Sequence, residues 1–159
     1  MRRILLLAAL LVVAFLGGRA IWRAMASDAT RIRWLFEGEA AAFNDCAGLS
    51  VLESFAPDWQ DETTGTSRQM LRGGLMWVFQ NRRDPKTQRF LYRIEMGELD
   101  VDIDGDRAKA TVPLVLHHGL DDDRRPVWEL RVMAELGRKD GSWRVERSRH
   151  ETISGAVPR

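Results

Sequence analysis

The chain has 159 residues, a length that fits one domain, and its 45% apolar and 30% charged residues are ordinary for a globular protein. The formal net charge is +1, but residues 1–26 hold four of the 24 basic residues and no acidic one, so the remainder is slightly acidic. This charge balance leaves no basic stripe for nucleic acid, and the single cysteine, Cys46, excludes an intrachain disulfide.

The first 26 residues have the order of an export signal. A basic start, Met1–Arg3, precedes the unbroken apolar run Ile4–Leu16, and two small residues spaced as Ala24-x-Ala26 fit a peptidase site. Cleavage after Ala26 would give a secreted or periplasmic domain, residues 27–159. Without cleavage, residues 4–22 are long enough to span a bilayer. We expect a single-pass protein of the bacterial cytoplasmic membrane, with its domain on the outer, periplasmic side.

Apolar spacing predicts three helices after this segment. The first covers Asp28–Asn44, a short second lies within Leu49–Phe55, and the third follows an N-cap at Ser67. The pair Gly73–Gly74 inside the third helix costs ~1 kcal/mol per glycine relative to alanine. Such a pair is typical of a place where another element approaches closely.

Strands with alternating apolar residues follow the helices. The apolar phase of Phe90–Met96 flips after Gly97 into Leu99–Ile103, which indicates a β-bulge that bends the strand. Further apolar rows run along Ala108–Leu116, along Trp128–Leu136 and from Trp143 onward. Helices followed by strands predict an α+β fold, with three N-terminal helices packed on a strongly bent antiparallel sheet.

This order of elements resembles the nuclear transport factor 2-like superfamily. The local resemblance lies in Ala42–Asn44 before a helix break, in Leu49–Phe55 and in Ala56–Trp59, and overall it covers roughly residues 28–154. The resemblance implies a cone-shaped fold, a pocket between the concave sheet face and the helices, and dimerisation through the convex face. The superfamily includes enzymes, small-molecule binders and structural adaptors, so the fold does not give the function.

We expect the interior of the cone to be lined by apolar residues from both layers. They are Phe36, Phe43, Trp77, Phe90, Tyr92, Leu114, Leu116, Trp128, Leu130 and Val132. An unbroken last strand would add Arg147 and Arg149, which would face an anionic ligand or a partner's carboxylates. If that strand instead leaves the core near Arg147, both arginines are solvated. His150 has the opposite parity and is expected to face outward.

Members that resemble ketosteroid isomerase use a tyrosine on the first helix and an acidic base just after the first strand. The only tyrosine here is Tyr92, on a strand, so catalysis would need Asp61 or Glu62 as base and His118 or Tyr92 as proton donor. The neighbouring His117 and His118 point to opposite faces of their strand and cannot hold one metal ion. The sequence contains no nucleophile, phosphate-loop or dinucleotide signature, and we predict no metal and no cofactor.

The outward face of the sheet mixes apolar and charged residues, which favours a partner surface. This predicted interface contains Val115, His117, Val127, Glu129, Arg131 and Met133. Together with the apolar N-terminus, it favours a membrane-tethered extracytoplasmic binding or assembly module without catalysis, acting as a homodimer or within an envelope complex. The alternative is an enzyme or binder of the isomerase, dehydratase or cyclase type, with a small apolar or anionic ligand. A cavity of ~300 Å³ or more that holds a carboxylate and a histidine would favour this alternative.

Overall fold

The computed structural model describes residues 26–156. The three predicted helices are α1 (Asp28–Asn44), α2 (Gly48–Val51) and α3 (Arg68–Asn81). The six strands are β1 (Phe55–Asp61), β2 (Tyr92–Met96), β3 (Asp100–Asp104), β4 (Arg107–His118), β5 (Arg125–Lys139) and β6 (Ser142–Gly155). A 3₁₀ turn, Asp121–Asp123, joins β4 to β5. The predicted apolar segment 4–22 lies outside the described residues, and none of the helices within 26–156 is long and apolar enough to cross a membrane.

Both long helices begin at a serine cap. Ser27 Oγ accepts a hydrogen bond from the Thr30 N–H (3.2 Å), and Ser67 Oγ accepts one from the Met70 N–H (3.3 Å). The expected close approach at Gly73–Gly74 is wrong, because a Cβ at either position would meet no atom within 4 Å. The glycine pair therefore weakens α3 without allowing a neighbour to pack closer.

The predicted α+β fold is confirmed, and the helices cover one bent sheet. The strand order is β1-β6-β5-β4-β2, with β3 pairing on β4 beyond β2. Every neighbouring pair is antiparallel except β1 and β6, which are parallel, so the sheet is mixed and not antiparallel throughout. The parallel arrangement of β1 places the end of that strand, Asp61, beside Ser148 in the middle of β6.

The predicted bend between β2 and β3 occurs at Gly97. The Gly97 N–H donates to the Pro113 carbonyl (2.8 Å), and a Cβ at Gly97 would lie only 2.6 Å from Pro113 Cγ. Because the nitrogen and the carbonyl of one strand residue face the same side, the nitrogen of Pro113 also faces this interruption. In a regular antiparallel pair the Pro113 nitrogen would donate to the Gly97 carbonyl, so the hydrogen bond that proline cannot make coincides with the interruption between β2 and β3.

One end of the cone is filled by packed side chains. There α1 lies over the small inner residues of β4 and β5, including Ala108, Ala110 and Ala134. The buried residues of this cluster are Ile32, Phe36, Ala56, Trp59, Leu99, Ala108, Ala110, Val112, Ala134, Leu136, Trp143 and Val145. A second cluster, including Leu75 and Phe79, joins α2 to α3. The opposite ends of β4 and β5 carry larger side chains that are not covered in this way.

Candidate functional site

An apolar cavity of about 250 Å³ lies between the helices and the concave face of the sheet. We call it the cone cavity. Its walls come from α1 (Phe43), α3 and its C-cap (Trp77, Val78, Arg82), β2 (Tyr92, Ile94), β4 (Leu114, Leu116) and β5 (Trp128, Leu130). Seven of the predicted interior residues line it, namely Phe43, Trp77, Tyr92, Leu114, Leu116, Trp128 and Leu130.

The strand register explains why these side chains meet. Leu114 pairs with Leu130 and Leu116 pairs with Trp128, so four inner residues of β4 and β5 form one continuous wall. Asn44 fixes the end of α1 against β2, because its side-chain amide donates to the Ile94 carbonyl (2.9 Å) and accepts from the Ile94 N–H (2.8 Å). The cavity is therefore bounded by hydrogen-bonded elements on both layers.

Three predicted interior residues lie elsewhere. Phe36 is buried in the filled end of the cone, and Val132 packs against that same cluster. Phe90 belongs to a group of aromatic rings behind the cavity wall, with centroids 5.6 Å from Phe43 and 5.9 Å from Tyr92. These side chains support the wall and do not contact the cone cavity.

The expectation that Arg147 and Arg149 line the interior is corrected by a bulge at Glu146. Val145 pairs with Leu136, whereas Arg147 pairs with the adjacent Glu135, so β6 contains one extra residue. The extra residue reverses the phase of the strand. Arg147 therefore lies on the outer face, where its Nη1 is 3.3 Å from Oε1 of the exposed Glu62.

The same bulge turns His150 inward, contrary to the expectation from its parity. His150 meets Asp61, which is only 7% exposed. Asp61 Oδ2 accepts a hydrogen bond from the hydroxyl of Ser148 (3.1 Å) and lies 3.5 Å from His150 Nδ1. Asp61 Oδ1 accepts hydrogen bonds from the backbone N–H (3.0 Å) and from the hydroxyl (2.9 Å) of Thr64.

These contacts hold Asp61 in its ionised form. Burial alone would raise the pKa of Asp61, but the hydrogen bonds from Thr64 and Ser148 and the nearby charge of His150 bring the pKa below its ordinary value. A carboxylate with a lowered pKa is a weak base, yet it orients an imidazole through Nδ1 and leaves Nε2 for proton transfer. Within the pair, His150 is therefore the group suited to acid–base work.

The Asp61–His150 pair lies directly behind one wall of the cone cavity. The ring of His150 packs edge-on against Trp128, with centroids 5.8 Å apart, and Trp128 Nε1–H donates to Thr152 Oγ1 (3.0 Å). Thr63 fixes the position of His150, because its hydroxyl accepts from the His150 N–H (2.8 Å) and donates to the His150 carbonyl (3.2 Å). Trp128 therefore lies between His150 and the cone cavity, and neither His150 nor Asp61 is among the cavity-lining residues.

The other candidate acid–base residues do not converge with Asp61. Tyr92 and His118 are neighbours, with ring centroids 5.0 Å apart, but β6 and β5 lie between their strands and β1. Glu62 faces the outer side with Arg147. Among residues 26–156, no three His, Cys, Asp or Glu side chains are placed to hold a metal ion.

One signal in the sequence pointed to the inward turn of His150. Gly137 lies inside β5 opposite the bulge, and a side chain there would collide with the carboxylate of Glu146. A glycine within a strand is typical of a bulge or of a close approach. Reading Gly137 in this way would have reversed the phase of Arg147, Arg149 and His150.

The residues predicted as an interface lie on the face opposite the cavity. Val115, Val127 and Met133 are only partly buried there, as are His117 and Glu129, while Arg131 is exposed and lies 3.8 Å from Glu151. His117 Nε2 is 3.9 Å from Glu95 Oε2. The face thus carries apolar groups between ion pairs.

A bent sheet closed by helices around an apolar cavity defines the class of cone-shaped α+β proteins to which the nuclear transport factor 2-like superfamily belongs. The sequence model of the SnoaL-like domain matches residues 24–149. The chain belongs to the SnoaL-like domain family. A sequence comparison with curated proteins finds no match.

Solved structures share this fold at low sequence identity. A protein of unknown function from Mycobacterium tuberculosis is similar with a TM-score of 0.67 and 20% identity, over 82% of this chain and 73% of that one. A nuclear transport factor 2-like protein with a cystatin-like fold from Novosphingobium aromaticivorans is similar with a TM-score of 0.65 and 14% identity, over 89% of this chain and 90% of that one. A protein from the same organism, proposed to be a scytalone dehydratase, is similar with a TM-score of 0.67 and 12% identity, over 83% of this chain and 89% of that one.

Proposed function

We propose that the protein binds a small, largely apolar molecule in the cone cavity. The observation that carries this proposal is the cavity itself, whose ten lining residues include nine apolar or aromatic ones. An apolar cavity of ~150 Å³ accommodates benzene, and a volume of about 250 Å³ therefore fits a molecule of one or two fused rings. Trp77, Tyr92 and Trp128 offer aromatic faces and edges for such a ligand.

A cavity-filling substitution tests this function. The variant Leu116→Trp would place an indole into the cone cavity, while Val115→Trp adds the same group to the opposite face of the same strand. Titration with 2-naphthol, followed by calorimetry, should show binding to the unmodified chain and to the Val115→Trp variant, and none to the Leu116→Trp variant. Equal binding to all three chains, or no binding to the unmodified chain, would contradict the proposal.

A second candidate function is acid–base catalysis on the bound molecule, favoured by the Asp61–His150 pair behind Trp128. The similar structure proposed to be a scytalone dehydratase agrees with chemistry of this class. In this reading the Trp128 indole moves aside when the ligand binds. His150 then removes or delivers a proton at the ligand, and Asp61 stabilises the imidazolium that forms.

This candidate is tested by proton exchange at a carbon next to a carbonyl group. The probe is 2-tetralone in heavy water, and NMR measures deuterium uptake. The unmodified chain should accelerate the exchange, His150→Gln should abolish the acceleration, and the outer-face control His117→Gln should retain it. Acceleration that survives in the His150→Gln variant would rule the pair out as the acid–base group.

We also propose that the domain is held at the outer side of the bacterial cytoplasmic membrane by residues 4–22. The basic and apolar order of that segment supports this location. Mass spectrometry of the chain from the membrane fraction of its native cells should find the N-terminal segment attached. A chain that begins at Ser27 would support the periplasmic alternative, and a chain in the cytosol would contradict both.

An assembly role without catalysis is the remaining candidate. It is favoured by Val115, Val127 and Met133, which leave apolar surface on the outer face of the sheet. Cross-linking in native membranes, followed by affinity purification, tests it. Recovery of a stoichiometric envelope protein would support this role, and recovery of the chain alone would contradict it.

A further inference from the structure

Arg82 is the only charged residue among the ten that line the cone cavity. It follows directly after α3, and its guanidinium lies 5.0 Å from the ring centroid of Trp77 at the rim. Among residues 26–156, no carboxylate lies within 4.0 Å of the Arg82 guanidinium. An arginine beside apolar surface without an anionic partner retains donors that a ligand can use.

More arginines surround the same end of the cone. A second cavity of about 230 Å³ shares Tyr92 with the cone cavity and is lined by Asn44, Arg89, Phe90, Tyr92, Arg93 and Arg124. Arg89 is paired with Asp121 through contacts of 2.6 and 2.8 Å. Arg124 Nε is buried without a hydrogen-bond partner, and neither Arg93 nor Arg124 forms an ion pair within the described part of the chain. Asp121 also attracts Arg124, so the arginines of this second cavity are partly balanced by acidic residues, and Arg82 remains the guanidinium that lines the cone cavity.

We infer that the ligand of the cone cavity is an amphipathic carboxylate, with its apolar body in the cavity and its carboxylate on Arg82. This inference rests on the proposed function and specifies its ligand class. A guanidinium binds a carboxylate through two parallel hydrogen bonds, and the apolar surroundings strengthen that attraction relative to water.

A pair of probes that differ in charge alone tests the inference. Naphthalene-2-carboxylate and naphthalene-2-carboxamide have similar size and shape, and their affinities for the full chain are measured by calorimetry at about pH 7, where the acid is ionised. We expect the carboxylate to bind about tenfold more tightly, which corresponds to about 1.4 kcal/mol. Arg82→Met should remove this preference and Arg82→Lys should retain part of it, because lysine keeps the charge but not the paired donors.

The control is Arg72→Met, an exposed arginine on the same helix that is outside the cavity lining. This variant should keep the full preference for the carboxylate. A preference that persists in Arg82→Met, or equal binding of both probes to the unmodified chain, would overturn the inference while the binding function stands. If neither probe binds, the binding function itself fails and the inference fails with it.

A salt titration of the unmodified chain keeps the test independent of whether the variants fold. Raising the salt from about 50 to about 500 mM screens an accessible charge pair. The affinity for the carboxylate should fall several-fold, and the affinity for the carboxamide should stay constant. Parallel curves for the two probes would contradict a role for Arg82.

Discussion

At the scale of single residues, Asp61 combines burial with ionisation. Its carboxylate accepts hydrogen bonds from Thr64 and Ser148, which lower its pKa against the effect of burial. A carboxyl group whose pKa is lower in the folded state contributes stability above its unfolded value. That contribution is lost as the pH falls through the lowered folded pKa, below the ordinary value of 3.8.

We expect Asp61→Asn to reduce the free energy of unfolding by ~1–3 kcal/mol at neutral pH, because an amide accepts these bonds less strongly. The reduction should shrink in acid below the ordinary carboxyl pKa. Urea denaturation at a series of pH values measures both effects. The control is Asp58→Asn, because Asp58 is exposed on the same strand. An equal loss of unfolding free energy in that variant would contradict a stabilising role for the hydrogen bonds of Asp61.

The pKa of Glu39 on α1 is shifted in the opposite direction to that of Asp61. Its Oε1 is buried without a hydrogen-bond partner. Burial raises the pKa of Glu39 to about 8, against a smaller opposing hydrogen bond from Ser54. Between the unfolded pKa of 4.5 and about 8, the folded state keeps a proton that the unfolded chain releases. Stability should therefore fall as the pH rises through this window.

Glu39→Gln should remove that loss. The variant should match the unmodified chain at about pH 5 and exceed it by ~1–3 kcal/mol at about pH 9, which allows for partial relaxation toward solvent. Urea denaturation at both pH values measures the difference. Glu37→Gln is the matched control, because Glu37 is exposed on the same helix. A gain that does not depend on pH would contradict burial of the ionised carboxyl as the cause.

At the scale of elements, the glycines of the bend and of α3 serve different purposes. Gly97→Ala would force a Cβ against Pro113 and should cost ~1–3 kcal/mol, because the two strands must separate at the bulge. Gly74→Ala meets no neighbour and should stabilise α3 by ~0.5–1 kcal/mol. Thermal unfolding of both variants measures the contrast. Destabilisation by Gly74→Ala would mean that another molecule or segment packs on that face.

The elements also show where the sequence was sufficient to predict the site. The rows Leu114–Leu116 and Trp128–Leu130 face a buried side, so strict alternation fixed their register and their place in the cavity wall. The position of His150 depended on the single extra residue Glu146, which is tolerated because Gly137 in another strand leaves room for it. Contacts of this kind between strands are not visible in the periodicity of one strand.

At the scale of the whole molecule, the cavity and the predicted interface occupy opposite faces of one sheet. The inner residues Leu114 on β4 and Leu130 on β5 line the cavity. On the same strands, Val115 directly follows Leu114, and Arg131 and Met133 come one and three positions after Leu130. A partner that binds the outer face would therefore contact the strands that form the cavity wall.

We predict that the chain forms a dimer through this outer face. The partly buried Met133 lies among Thr111, Arg149 and other mixed side chains, so apolar contact can be combined with charge pairing between two copies. Sedimentation at tens of micromolar should show a dimer for the unmodified chain and a monomer for Met133→Arg, because an added cation beside Arg149 is repelled and desolvated. Ser142→Arg adds the same charge at the exposed start of β6 and should remain dimeric. A monomer in the unmodified chain would contradict the prediction, and dissociation of both variants would assign the effect to net charge.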